Sequence, residues 1–142
     1  MNTTLLALNS SFSHTSLAAR YLRAAGNGAG HEVSLVEMTV NERAEAISRA
    51  VFATRPEVLG CSVYIWNVRL MSDVCVRLKL LIPQLVIVWG GPEVVGEEAS
   101  LCLEYPLVDV FCIGEGESAF PEILDNLANG IPVDRVITGS PT

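Results

Sequence analysis

The second half of the chain contains very few basic residues. Residues 72–142 carry 3 Lys or Arg and 11 Asp or Glu, whereas residues 1–71 carry 6 and 5. No basic residue lies between Lys79 and Arg135. A surface with this excess of negative charge repels a polyanion, so nucleic-acid binding is not expected.

The chain also lacks a long apolar run and a basic N-terminal segment. Its most apolar stretch, residues 80–89, is interrupted by Pro83 and Gln84. This stretch is too short to cross a bilayer, which takes about 20 apolar residues, so no membrane span is predicted. Because the basic start of a secretory signal is missing, the expected location is the cytoplasm.

The cysteines lack the spacing of a metal site. They occur at positions 61, 75, 102 and 112. These separations fit neither the Cys-x-x-Cys pairs of zinc sites nor a compact disulfide framework. We therefore expect buried, reduced cysteines that pack as small apolar residues.

Apolar runs alternate with amphipathic segments along the whole chain, in which 50% of the residues are hydrophobic. Strands are predicted at residues 4–8, 33–38, 58–65, 85–89 and 108–113. Helices are predicted at residues 17–25, after an N-cap at Asn41, after an N-cap at Asn67, at residues 97–103 and from residue 117 to Gly130. This alternation predicts an α/β fold of the Rossmann or flavodoxin-like type, with a doubly wound five-stranded parallel sheet in the order 2-1-3-4-5. Residues 1–130 would form this domain, and residues 131–142, which are rich in proline and glycine, would form a linker or tail.

Ligands of doubly wound sheets bind outside the carboxyl ends of the strands, which here are followed by residues 9–16, 64–67, 90–94 and 114–117. The first of these loops holds five hydroxyl groups between Ser10 and Ser16. Capping of the following helix needs only one hydroxyl group, so the remainder favour binding of an anion or a hydrogen-bonding cofactor. His14 fits either a ligand or a solvent-facing loop side chain.

The other loops combine glycine, carboxylates and aromatic rings. Gly90-Gly91-Pro92 lets the backbone approach a ligand closely, or forms a tight turn, and a Cβ at Gly91 is expected to collide with the ligand or to force a strained turn. Gly114-Glu115-Gly116-Glu117 fits a turn, or a contact to a ligand or a neighbouring domain. Tyr64, Trp66 and Trp89 fit either a wall for a flat ligand or closure of the core.

Four segments of the chain carry recognisable motifs: residues 7–22 (ALNSSFSHTSLAARYL), 60–67 (GCSVYIWN), 88–94 (VWGGPEV) and 108–117 (VDVFCIGEGE). Together they resemble the N-terminal cobalamin-binding domain of cobalamin-dependent radical S-adenosylmethionine (SAM) enzymes, relatives of the anaerobic magnesium-protoporphyrin monomethyl ester cyclase. The resemblance implies that the corrin lies over the carboxyl ends of the strands, with its tail near residues 9–11 and 62–64. The candidate cofactor-binding residues are then Asn9, Ser10, Ser11, Ser13, His14, Ser62, Tyr64, Trp66, Asn67, Gly90, Gly91, Pro92, Glu93, Gly114, Glu115, Gly116 and Glu117.

The chain departs from the methionine-synthase pattern Asp-x-His-x-x-Gly, in which His coordinates cobalt. Aligning His14 with that histidine places Phe12 and Leu17 at the Asp and Gly positions, and the other register places serines at all three positions. The resemblance therefore implies cobalamin without a histidine lower ligand. No catalytic residue and no metal-ligating residue is predicted in this chain.

The chain also lacks the Cys-x-x-x-Cys-x-x-Cys spacing with which radical SAM enzymes hold a 4Fe-4S cluster. The cluster and SAM are therefore expected in a separate, C-terminal domain of the same polypeptide, and the chain alone is not expected to turn over substrate. Two alternatives remain: the same fold without a cofactor as an interaction domain, and a flavodoxin-like FMN carrier. The second follows from Ser11-x-Ser13-x-Thr15, although His14 occupies the place of the glycine typical of FMN loops.

Overall fold

Six parallel strands form one sheet with helices on both faces in the computed structural model, which describes residues 1–10, 17–64, 66–91, 94, 102–114 and 116–139. The strands are β1 (Asn2–Asn9), β2 (Glu32–Thr39), β3 (Val58–Ser62), β4 (Val86–Gly90), β5 (Val110–Gly114) and β6 (Val136–Gly139). The helices with described bounds are α1 (Leu17–Gly28), α2 (Ala44–Ala53), α3 (Val68–Leu81) and α4 (Gly116–Ala128). The strand order is β2-β1-β3-β4-β5-β6.

The predicted α/β class, the parallel pairing and the order of the first five strands are confirmed, but the predicted number of strands is wrong. β6 pairs with β5, with Phe111 opposite Val136 and Gly114 opposite Gly139. The added strand lies within residues 131–142, which were expected to be a linker or tail. Its four residues are too few to show a periodic pattern, and they follow directly on a proline-containing segment.

Several element ends also differ from the predictions. The N-cap of α2 is Arg43, whose side chain makes no capping hydrogen bond, so the prediction of Asn41 as N-cap is wrong. β3 ends at Ser62, three residues before the predicted end. Of the helix predicted at residues 97–103, only residues 102–103 are described, and residues 102–104 are helical.

The two faces of the sheet pack against different helices. On one face, Leu6, Leu59 and Ile87 join Ile47 of α2 and Leu78 of α3 in one buried cluster. On the other face, strand residues pack against Phe120, Ile123 and Leu124 of α4 in a second buried cluster, joined by the partly buried Leu22 of α1; these strand residues are Leu5, Val33, Val58, Val88 and Val110. Burial of each such side chain contributes about 1.5 to 3 kcal/mol to folding. We call these the α2/α3 face and the α1/α4 face.

All four cysteines are free thiols; Cys61, Cys75 and Cys112 are buried, as expected, whereas Cys102 is only partly buried. The sulfur atoms of Cys61 and Cys75 lie 3.9 Å apart in the cluster of the α2/α3 face. Burial raises the pKa of the Cys61 thiol and that of the Cys112 thiol, so both are neutral at physiological pH. Among the described residues, no helix is long and apolar enough to cross a bilayer.

Candidate functional site

The strand order places the predicted ligand crevice between β1 and β3. β1 pairs with β2 on one side and with β3 on the other, so the chain leaves the carboxyl ends of β1 and β3 in opposite directions along the sheet. In doubly wound folds this divergence opens a crevice above the carboxyl ends of the strands. Asn9 and Ser10 lie at the end of β1, and residues 62–64 lie at the end of β3.

A row of small residues crosses the carboxyl half of the sheet. The register pairs Ala7 with Ser62 and Ser62 with Gly90, and a Cβ placed on Gly90 would lie 4.0 Å from the Cβ of Cys112. The row faces α1 and α4, because a Cβ placed on Gly60, two residues before Ser62, would meet Leu5 and the Phe120 ring. We call Ala7, Ser62, Gly90 and Cys112 the small-residue row.

The opposite face of the same strands is filled by large side chains. The adjacent row consists of Leu6, Cys61, Trp89 and Phe111, which pair in register and belong to the cluster of the α2/α3 face. Trp89 and Phe111 are 2% and 0% exposed. The sheet therefore closes its core on one face and reduces side-chain volume on the other, next to the crevice. Trp89, predicted as either a pocket wall or a core residue, is a core residue.

Gly90 and Gly91 have different surroundings. A Cβ on Gly91 would lie 2.5 Å from the carbonyl oxygen and 2.8 Å from the amide nitrogen of Val63, and Gly91 has a φ of +110°. The fold itself therefore requires glycine at this position, because any side chain would meet the Val63 backbone and would be strained at this φ. A Cβ on Gly90 would make only ordinary contacts, 3.8 Å or more from Cys112. The packing of the described residues therefore does not require glycine at position 90.

Asn67 ties together the ends of β1 and β3. Its side chain is 1% exposed. Its Nδ2 atom donates to the carbonyl oxygens of Leu8 (3.1 Å) and Ser62 (3.2 Å), and its Oδ1 atom accepts from the backbone N–H of Tyr64 at 2.8 Å. It occupies the N-cap position of α3, as predicted, but its side chain makes no capping hydrogen bond. Asn67 therefore links the backbone at the ends of β1 and β3, and its side-chain amide is already hydrogen-bonded to backbone groups.

An aromatic pair stands beside the crevice, after β3. The rings of Tyr64 and Trp66 stack with centroids 4.4 Å apart and an interplanar angle of 11°. Trp66 is 52% exposed. Exposure of so large an apolar side chain to water is unfavourable, and aromatic residues are only 6% of this chain. The pair offers a flat apolar surface at the carboxyl edge of the sheet.

A polar network closes the other end of the small-residue row. Glu37 of β2 is opposite Ala7 in the register. Its carboxylate accepts a hydrogen bond from Asn9 Nδ2 at 3.0 Å and lies 2.7 Å from the guanidinium of Arg20 on α1. Sequence patterns did not single out Glu37 or Arg20, although a carboxylate inside the apolar run Leu35-Val36-Glu37-Met38 was a signal that it faces a polar partner.

The structure brings together the predicted residues that it describes at the carboxyl edge: Asn9, Ser10, Ser62, Tyr64, Trp66, Asn67, Gly90, Gly91 and Gly114. Gly116 begins α4, and Glu117 follows in it, with no side-chain placement described. Ser11, Ser13, His14, Pro92, Glu93 and Glu115 lie outside the described residues, so their roles stay predictions. Within the described part of the chain, no group of three or more His, Cys, Asp or Glu is arranged to hold a metal ion.

Similar proteins of known activity are methyltransferases. Over 84 residues the chain is 39% identical to a 2-(S-pantetheinyl)-carbapenam-3-carboxylate methyltransferase of Streptantibioticus cattleyicolor. Over a segment of the same length it is 38% identical to the cobalamin-dependent radical SAM methyltransferase TokK of Streptomyces tokunonensis. These matches cover 58% and 59% of the chain but only 12% of each methyltransferase.

Solved structures confirm the fold. A cobalamin-binding protein from Desulfitobacterium hafniense matches with a TM-score of 0.65 at 20% identity, over 87% of this chain and 57% of that one. A CheY-like protein, tadZ, from Pseudomonas aeruginosa matches with a TM-score of 0.60 at 18% identity, over 89% of this chain and 99% of that one. At these identities the similarity shows the α/β fold and not the ligand.

The family follows from the sequence model rather than from the fold. The model of the B12 binding domain matches residues 3–124, which is most of the chain and includes all four carboxyl-end loops. The resemblance to the cobalamin-binding domain of cobalamin-dependent radical SAM enzymes is thereby confirmed, and so is cobalamin as the cofactor of the family. The chain belongs to the B12-binding domain family.

Proposed function

We propose that this chain binds cobalamin at the carboxyl edge of its sheet and presents it to a radical SAM domain of the same polypeptide. The observation that supports this most directly is the small-residue row of Ala7, Ser62, Gly90 and Cys112 beside the crevice, in a chain whose B12-binding family match spans residues 3–124. The two methyltransferase relatives support the wider assignment, because one of them is a cobalamin-dependent radical SAM enzyme. We also propose a cytoplasmic location, as the sequence suggests.

The residues at this edge fit such a group. Cobalamin is large and mostly uncharged, with a flat ring system and many hydrogen-bonding amides at its periphery. The small-residue row keeps side-chain volume low on the α1/α4 face at the ends of the strands, and the neutral Cys112 thiol adds no charge there. The Tyr64–Trp66 pair, of which Trp66 is exposed, supplies an apolar surface, while Asn9 and Ser62 supply polar groups. When bound, cobalamin would supply the cobalt chemistry, and the residues of this chain would bind and orient it.

A titration of the 142-residue chain with hydroxocobalamin tests the proposal. Binding is expected to change the absorption spectrum of the cobalamin and to carry it through gel filtration with the protein. FMN, titrated in parallel, tests the flavodoxin-like alternative and is expected not to bind. If neither cofactor is retained, the proposal is wrong and the alternative of a cofactor-free interaction domain is favoured.

We also propose that no histidine of this chain would be a ligand of the bound cofactor. Of the two histidines, His31 precedes β2 at the opposite, amino edge of the sheet, where its Nε2 atom lies 2.5 Å from Asp125 Oδ1. His14 belongs to the loop after β1 but lacks the Asp-x-His-x-x-Gly context that orients such a ligand. The spectrum of cobalamin bound to the His14→Ala variant is expected to match that of the unsubstituted chain. A shift that reports loss of a nitrogen ligand would contradict this.

A further inference from the structure

Glu37 is the charged member of the row of residues that faces α1 and α4 at the carboxyl half of the sheet. Its neighbour across β1 is Ala7, and the row continues through Ser62, Gly90 and Cys112 without another charge. The Glu37 side chain is 17% exposed, and its Oε1 atom is buried. A carboxylate in this position needs compensation for lost hydration, which Arg20 and Asn9 provide.

The Glu37 carboxylate determines how the Asn9 side chain is oriented. An ionised carboxylate only accepts hydrogen bonds, so the group of Asn9 that faces it, 3.0 Å away, is the NH₂ group. The carbonyl oxygen of the same amide, Oδ1, then points away from Glu37. Among the described residues, none donates a hydrogen bond to this oxygen. Asn9 is the last residue of β1, so this oxygen lies at the edge of the crevice.

We propose that Glu37 is a positioning residue of the cobalamin site. Held by Arg20, it fixes the Asn9 amide so that Oδ1 accepts a hydrogen bond from a donor group of the cofactor. This inference rests on the proposed function and adds a chemical selection to it. A flipped Asn9 amide would present two N–H groups and would repel the same donor. The donor belongs either to a primary amide of the corrin periphery or to a hydroxyl of the nucleotide tail, and both have the same hydrogen-bonding chemistry.

The test compares the cobalamin dissociation constants of four chains: the unsubstituted protein, Glu37→Gln, Asn9→Ala and the double variant. In Glu37→Gln the partner of Asn9 is itself an amide, which donates as well as accepts, so the Asn9 amide is free to turn. Each single variant is expected to raise the dissociation constant about threefold to tenfold, the effect of one net hydrogen bond. Because Glu37 acts through Asn9, the double variant is expected to bind no more weakly than Asn9→Ala. Glu32→Gln, an exposed position at the other end of β2, is the matched control and should bind within about twofold of the unsubstituted chain.

A second measurement is independent of the ligand. The side-chain NH₂ resonances of Asn9 in the ligand-free protein are expected to shift in Glu37→Gln and to stay unchanged in Glu32→Gln. Cobinamide, which lacks the nucleotide tail, separates the two sources of the donor. If Asn9→Ala weakens cobinamide binding as much as cobalamin binding, the donor lies on the corrin; if it leaves cobinamide binding unchanged, the donor lies on the tail.

Three outcomes would overturn the inference. If the unsubstituted chain binds cobalamin and neither single variant weakens binding, Glu37 only links α1 to β2. If the effects of the two single variants add in the double variant, Glu37 does not act through Asn9. If the unsubstituted chain binds no cobalamin, the proposed function fails and the inference fails with it, and the titration alone reveals that case.

Discussion

Gly90 and Gly91, at the end of β4, differ in how strictly the fold requires glycine. Gly91 has a positive φ and no space for a Cβ against the Val63 backbone, whereas Gly90 has space for one. The Gly91→Ala variant is therefore expected to lose at least about 2 kcal/mol of unfolding free energy in urea. The Gly90→Ala variant is expected to stay within about 1 kcal/mol of the unsubstituted chain and to bind cobalamin about tenfold more weakly.

The two variants control each other, since they place the same methyl group on neighbouring residues. Binding is to be measured well below the denaturation midpoint of each variant, so that only folded protein is compared. Unchanged cobalamin affinity in Gly90→Ala would show that the small-residue row does not face the cofactor.

Asn67 is expected to contribute to stability more than to direct contact with a ligand. The Asn67→Ala variant removes the partners of two carbonyl oxygens and one N–H group, those of Leu8, Ser62 and Tyr64. An unpaired buried polar group costs about 1 to 3 kcal/mol. The hydrogen bond to Leu8 is buried, but those to Ser62 and Tyr64 are only partly buried, so water offsets part of the loss and the total is expected to be about 2 to 4 kcal/mol in urea denaturation. Asn129→Ala, which removes an exposed hydrogen bond to the Asp125 carbonyl, should cost less than about 0.5 kcal/mol. Equal losses in the two variants would contradict the role given to Asn67.

The sequence located such residues but not their partners. The position of Asn67 before an amphipathic helix predicts an N-cap, which depends only on residues nearby in sequence. Its hydrogen bond to Leu8 spans 59 residues, so it exists only once β1 and β3 lie side by side. Glu37 and Asn9 are likewise 28 residues apart and meet through the pairing of β1 with β2. Long-range polar contacts of this kind leave no periodic signal in the sequence.

At the scale of whole elements, prediction succeeded where an element has an apolar face of its own. Five strands and the helices between them follow from runs of buried residues such as those of β1, in which residues 3–8 are all buried. β6 lacks this signal because it is an edge strand with one neighbour and no buried residues among its described side chains. Its place in the sheet depends on backbone pairing with β5.

Removing β6 is expected to expose that edge. A chain that ends after residue 135 loses the partly buried Ile137, which packs on the cluster of the α1/α4 face, and leaves β5 unpaired on one side. The unfolding free energy is expected to fall by about 2 to 4 kcal/mol, because the partly buried side chains of Val136 and Ile137 are lost. Concentration-dependent association in gel filtration is also expected, because an unpaired strand edge recruits other strands. A chain that ends after residue 139 is the control, and identical behaviour of both truncations would mean that β6 adds nothing to the sheet.

On the scale of the whole molecule, the fold does not distinguish a cofactor domain from other proteins with this architecture. The chain matches a cobalamin-binding protein and a CheY-like protein with TM-scores of 0.65 and 0.60. What is specific to this chain is the contrast between its two faces at the carboxyl edge, with Leu6, Cys61, Trp89 and Phe111 on one face and the small-residue row on the other. Function is thus assigned from side chains placed on a shared scaffold.

The surroundings of the two tryptophans give this molecule a built-in optical reporter. Trp89 is buried, and its indole N–H points at the thiol of Cys75, 3.4 Å away, whereas Trp66 is largely exposed on the Tyr64 ring. A thiol in contact with an indole quenches its fluorescence, so native emission should come mainly from Trp66, at the long wavelength of a hydrated indole. Unfolding separates Trp89 from Cys75 and should brighten the protein, contrary to the usual dimming. Trp66 emission would then report changes at the carboxyl edge, and Trp89 emission would report loss of the core, in one fluorescence measurement without an added label.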